Sequence, residues 1–151
     1  MPQSLVQIYL HIIFSTKNRE PFLIDKQIRE EMHAYSGSVL KAHDSIPVIV
    51  GGTADHIHIL CTFPRTITVS KLIGETKRGS SKWVKKKGRT LSAFQWQSGY
   101  GAFSVSHSNV PEVRKYIATQ EEHHKKRSFQ DEFRIFLKKH GVQFDERYVW
   151  D

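Results

Sequence analysis

Between Ala54 and Thr62 the chain alternates strictly, with His56 and His58 on one side and Ile57, Ile59 and Cys61 on the other. Successive strand side chains leave opposite faces, so this segment demands a sheet whose two faces differ in chemistry. The isoleucine side calls for a core. The other side presents two imidazoles, which are either a solvated pair or half of a divalent-metal site. Cys61 lies on the isoleucine face and reads as a small buried hydrophobe in a reducing compartment.

The rest of the pattern fits around this strand. Leu5 to Ser15 alternates, with Val6, Ile8, Leu10, Ile12 and Phe14 on one face, Gln7, Tyr9, His11 and Ser15 on the other, and Ile13 as the exception. Asp25 is a candidate N-cap for a helix reaching about His43, with Ile28, Met32, Tyr35 and Val39 as its stripe. Ile46 to Val50 is a short β-branched strand that Gly51-Gly52 turns into the histidine strand. A helix follows from about Thr68 to Lys86, then a loop and an extended Ala102 to Ser106. Asn109, with Glu112 as a capping box, opens a helix expected to run to about Lys126, and Ser128 caps a last one from Phe129 to His140. The order strand, helix, strand, strand, helix, strand predicts an α+β, ferredoxin-like β-α-β-β-α-β sandwich with additional C-terminal helices. One domain is expected over 1–151, with its core at about 5–126 and a C-terminal helix and tail at 128–151. In such a sheet the first and third strands are neighbours, which brings His11 close to His56 and His58 on an open face.

Charge narrows the class of partner. Arg65 to Arg89 holds nine Lys or Arg residues against one acid, Glu75, and so equals the chain's whole excess of +8. On the helix beginning at Thr68, Lys71, Arg78, Lys82 and Lys85 line one arc, opposite an apolar arc. A one-sided basic field of this kind points to a polyanion, nucleic acid first. With no 18-residue apolar run a membrane span is not expected, nor is a signal peptide from Met1-Pro2-Gln3-Ser4, so the expected location is cytoplasmic.

Downstream, Tyr116 and Gln120 are four apart beside the packing stripe of Val110, Val113 and Ile117. A histidine pair on a sheet face, a Tyr-x-x-x-Gln helix and a basic helix together suit phosphoryl transfer on nucleic acid. An ion held by two imidazoles and an amide oxygen polarises a phosphate, and a tyrosine can attack it. Asp55-His56-Ile57-His58-Ile59-Leu60 together with Tyr116-Ile117-Ala118-Thr119-Gln120 resembles the single-tyrosine HUH transposases of the insertion sequence 200/605 type. Phe14 to Arg19, Trp96-Gln97-Ser98-Gly99-Tyr100 and Phe103-Ser104-Val105-Ser106 resemble that family too.

The resemblance implies a metal-dependent enzyme that nicks and rejoins single-stranded DNA with hairpin ends. It implies Mg²⁺ or Mn²⁺ on His56, His58 and Gln120, and Tyr116 as nucleophile leaving a 5′-phosphotyrosine. It also implies a homodimer in which the tyrosine of one subunit serves the histidines of the other. Hairpin binding would fall to Lys71, Arg78, Lys82 and Lys85. Strand adjacency separately offers His11 as the general base or a DNA-facing residue, beside the plainer reading of a wet or hydrogen-bonded sheet histidine. His123 and His124 read as ordinary polar or phosphate-facing residues, and zinc is disfavoured because no third imidazole has ligand spacing. Two alternatives stand beside this reading. One is a domesticated relative acting on chromosomal repeat palindromes, the other a non-catalytic ferredoxin-like nucleic-acid binder.

Overall fold

The computed structural model describes residues 2–151. Four strands, β1 (Tyr9–Ser15), β2 (Pro47–Gly52), β3 (His56–Thr62) and β4 (Gly101–Val105), form an antiparallel sheet in the order β2-β3-β1-β4. With helices α1 (Lys26–Ala42) and α2 (Val69–Lys85) in the two crossovers, this is the expected split βαβ order with β1 and β3 central. Three short helices follow: α3 (Val110–Ala118), α4 (Gln120–His123) and α5 (Phe129–Lys139).

Local chemistry starts most of these helices where expected. Asp25 accepts from Ile28 N at 3.1 Å, Thr68 from Lys71 N at 3.2 Å and Ser128 from Asp131 N at 3.2 Å. Asn109 makes no side-chain cap, because its own backbone is already helical and a tight turn over His107–Asn109 leads into α3. The helix expected to reach Lys126 breaks at Thr119 (φ −108°, ψ 25°), whose hydroxyl bonds back to Lys115 O at 3.0 Å. β1 begins at Tyr9, not Leu5, because both of its neighbours end opposite Tyr9, at Thr62 and Val105. Leu5 is accordingly 87% exposed.

The two sheet faces differ as the alternation requires. Leu10, Ile12, Phe14, Ile57, Ile59 and Cys61 form the main core with Met32 and Leu40 of α1 and Leu72, Ile73 and Val84 of α2. The opposite face was expected to be open, and it is covered. Ile13 and Phe103 project into a second cluster with Phe129, Phe133 and Leu137 of α5, joined by Phe136, Phe144, Val149 and Trp150. Ile13 breaks the polar alternation of β1 because its face also has an apolar lid.

The glycine pair belongs to the end of β2, where Gly51 and Gly52 pair with His58 and Ile57, and the turn itself is made by 53–55. A Cβ at Gly51 would stand 2.9 Å from both the side chain and the carbonyl of Ile117, so glycine lets α3 lie directly on β2. A Cβ at Gly52 (φ +153°) would meet His56 O at 2.2 Å. The tight turn into the histidine strand therefore requires glycine at position 52.

Candidate active site

β3 delivers His56 and His58 to the covered face, and both rings are completely buried. His58 Nδ1 lies 2.8 Å from His11 Nε2, and its Nε2 lies 2.8 Å from Glu132 Oε1. Read as donors, His11 Nε2–H gives to His58 and His58 Nε2–H gives to Glu132, a tautomer assignment inferred from the bonding pattern. His56 Nδ1 sits 2.8 Å from Asp55 Oδ1, and its Nε2 sits 2.9 Å from Gln120 Oε1. The Thr53 hydroxyl also lies 2.9 Å from Nδ1, so Nδ1 has both a donor and an acceptor beside it while Nε2–H gives to Gln120. A metal ion on Nε2 would replace that proton.

Glu132 closes the arrangement from α5. Its carboxylate is 1% exposed, accepts the Tyr116 hydroxyl and receives Gln120 Nε2 at 3.2 Å. Burial alone would raise the Glu132 carboxyl. The His124 and His58 imidazoles and the charge of His56 outweigh it and hold Glu132 well below the usual carboxylate range. The same geometry pushes Tyr116 the other way: burial, then the Glu132 charge and hydrogen bond, raise the phenol above its ordinary value. In the closed site the tyrosine is therefore protonated.

Tyr116, Gln120, His56 and His58 thus meet in one chain, around a carboxylate that sequence reasoning missed. The signal was present as an acid on the apolar stripe of the last helix, among Phe129, Phe133, Phe136 and Leu137. His124 was also missed. It was expected to be an ordinary polar residue, yet its ring centroid is 4.2 Å from that of His56 and its Nε2 is 3.1 Å from Glu132 Oε2. That approach is out of line for a hydrogen bond, so the buried Nε2 has no partner. One ligand atom from each of His56, His58, His124 and Glu132 lies within 4.8 Å of the others, so a third imidazole does reach the pair. His11 was expected to face DNA. It is 2% exposed beneath Phe136, since α5 covers its strand face.

The Trp96-Gln97 segment has a structural part to play. Gln97 Oε1 accepts Ser15 N at 2.8 Å and Trp96 Nε1 donates to Ser80 at 2.9 Å, tying β1 to α2. Lys77 donates to the carbonyls of Gln97, Ser98 and Gly99 at 2.7–3.1 Å, and burial pushes it down to about 8. Lys71, Arg78, Lys82 and Lys85 are exposed on α2, whose apolar arc packs the other side of the sheet, away from the histidines. Arg78 is paired with Glu75. Beside the site is a cavity of about 290 Å³, lined among others by Tyr116, Glu132, Phe136, His11, Arg127 and Lys139.

Buried neutral histidines make stability depend on acidity. Burial, then the Arg29 charge, pushes His33 from its ordinary 6.5 down to about 4, and burial likewise lowers His58 despite Glu132. The unfolded chain takes up these protons first, so the contribution is intact above pH 6.5 and lost as pH falls from 6.5 towards 4. For His33 the loss is at most about 3 kcal/mol. Thermal melts should be nearly flat between pH 7 and 8 and fall steeply below 6.5, with His33→Asn reducing the slope. A melting temperature constant down to pH 4.5 would contradict neutral burial.

Comparison with known proteins adds a second line. A family model described as "Transposase IS200 like" matches residues 4–120. The fold is similar to a crystal structure assigned as a transposase of Deinococcus radiodurans R1, at TM-score 0.62 and 17% identity, covering 80% of this chain and 95% of that one. It is also similar to a REP-associated tyrosine transposase bound to a REP hairpin, at TM-score 0.53 and 15% identity, covering 80% of this chain and 68% of that one. A comparison with curated proteins returned no match. Glu132 and His124 lie beyond the residues the family model spans. Among the described residues no helix is long and apolar enough to cross a membrane.

Proposed function

The chain belongs to the IS200-like transposase family, and on that premise we propose that it nicks and rejoins single-stranded DNA carrying hairpin ends, with Tyr116 as nucleophile. The observation that carries this reading is the Tyr116 hydroxyl held by Glu132 in the same buried site as His56, His58 and Gln120. A non-catalytic binder has no use for a buried carboxylate and two buried imidazoles gathered around a phenol.

His56 and His58, through their Nε2 atoms, and Gln120, through Oε1, would hold a divalent ion, Mg²⁺ or Mn²⁺. Asp55 and His11 fix the far nitrogens of the two rings. Bound there, such an ion supplies Lewis-acid polarisation of the scissile phosphate and offsets the Glu132 charge. The chain's own residues do the rest. In the closed site Glu132 holds the phenol; with α5 moved aside, Oη bonds to phosphorus and its proton passes to water. The P–O3′ bond breaks, and the departing oxygen recovers a proton to become the 3′-hydroxyl. DNA reaches this face only when α5 swings away, since the histidines are sealed beneath it.

Hairpin DNA as partner is supported by the REP-hairpin complex of the similar fold and by the basic arc of α2. Replacing Lys71 and Lys82 with Ala should lower affinity and flatten its salt dependence by roughly 0.7–0.9 of a log–log unit per lost phosphate contact. An unchanged slope would mean that this arc does not touch DNA.

The expected shared-site dimer is not required for a complete site, because Tyr116 reaches its own chain's cluster. We therefore expect Tyr116→Phe and His56→Ala chains, co-expressed and co-purified, to remain inactive. Recovered cleavage would show that tyrosines are exchanged between subunits.

The function is tested with a pool of single-stranded hairpins flanked by random sequence, incubated with Mn²⁺ and digested for mass spectrometry. A nucleotide on the Tyr116 peptide, absent with duplex DNA or chelator, is the expected result. Cleavage without any peptide adduct would overturn the reading.

A further inference from the structure

We propose that His124 and Glu132 give this chain a second coordination state. With His56 and His58 they form a three-imidazole, one-carboxylate site that selects a nitrogen-preferring cation of the Zn²⁺ class and holds α5 shut. The inference rests on the reading of His56 and His58 as ligands.

Donor type decides the class of ion. Mg²⁺ prefers oxygen and keeps its waters, whereas three ring nitrogens and one carboxylate suit a tetrahedral Zn²⁺. The four ligand atoms already lie within 4.8 Å of one another. His124 Nε2 is buried without a partner in that cluster, although its side chain is 11% exposed. An unpaired buried nitrogen is costly, and coordination relieves that cost.

The ligands also come from two bodies. His56 and His58 are fixed in β3, while His124 and Glu132 belong to the C-terminal segment that covers them. One ion bridging the two fastens the lid to the sheet. Four protein ligands leave no open position for a phosphate, and they keep Glu132, with the Tyr116 hydroxyl on it, in the closed arrangement. The four-donor state is therefore a resting state, exchanged for the working one when α5 lifts and Gln120 takes over.

The test uses the full chain, stripped of metal and titrated with Co²⁺ as a coloured substitute for Zn²⁺. Four-coordinate Co²⁺ absorbs strongly in the visible, six-coordinate Co²⁺ only weakly. We expect an intense band at one equivalent, displaced by Zn²⁺, with a melting temperature raised by several degrees. His124→Gln and Glu132→Gln should each weaken Co²⁺ binding at least tenfold and bleach the band. Circular dichroism checks that each is folded, and the partly exposed His124 site is the more tolerant of the two. A pale six-coordinate spectrum in the wild type, or an undiminished band in folded His124→Gln, overturns the proposal. Tyr116–DNA adduct formed with Mn²⁺ reports separately on the function, so an adduct without the cobalt band would sink the four-donor site and leave the transposase reading standing.

Discussion

Tyr116→Phe is expected to lower strand cleavage on the order of 10⁴-fold or more and to abolish the covalent adduct, while hairpin binding changes little. The substitution removes one oxygen. That oxygen is the atom proposed to bond to phosphorus, and loss of a nucleophile removes the covalent route itself. The fold should tolerate the change. The phenyl ring keeps its edge contacts with His58 and Phe136, and Glu132 retains His58 and Gln120 as donors. A stability loss of about 1–2 kcal/mol is expected, because one donor to a buried carboxylate is gone. Cleavage retained within tenfold of wild type would remove Tyr116 from the chemistry.

What could be read from the sequence was what periodicity encodes. Alternation through Ala54–Thr62 put His56 and His58 on one face and the isoleucines in the core, and the structure keeps both. Spacing on one helix face paired Tyr116 with Gln120, and the two do converge on one carboxylate, even though Thr119 ends the helix between them. That break depends on a side-chain bond to Lys115 O, which competes with the helix locally and leaves no periodic mark. The lid was illegible for a different reason. Whether a sheet face is open or covered depends on where a distant amphipathic helix docks, and α5 announces only that it has an apolar stripe. Glu132 was the clue. A charge on that stripe has to meet buried partners, and the unassigned polar groups were the histidines. His124 carried no signal at all, since its inward turn follows from the helix break and from the short segment leading to Ser128.

His58→Ala tests the other half of the site and should behave differently from the tyrosine variant. Losing an ion that supplies several kcal/mol of transition-state stabilisation lowers cleavage on the order of 10³-fold. Mn²⁺ binding, read directly by electron paramagnetic resonance, should fall in parallel. This change strikes the fold harder than Tyr116→Phe does. His58 is fully buried between His11 Nε2 and Glu132 Oε1, each 2.8 Å away. Removing it opens a cavity and leaves a buried carboxylate short of a donor, at a combined cost of about 2–4 kcal/mol. Gln120→Ala should weaken Mn²⁺ binding less, because a neutral amide is the poorest of the three ligands. The pattern across the variants is what discriminates: chemistry lost at Tyr116 with metal binding kept and only a small stability cost, chemistry, metal and stability lost together at His58, metal affinity eased at Gln120. If His58→Ala binds Mn²⁺ and cleaves like wild type while melting several degrees lower, the imidazole is a structural partner of Glu132 and the metal sits elsewhere.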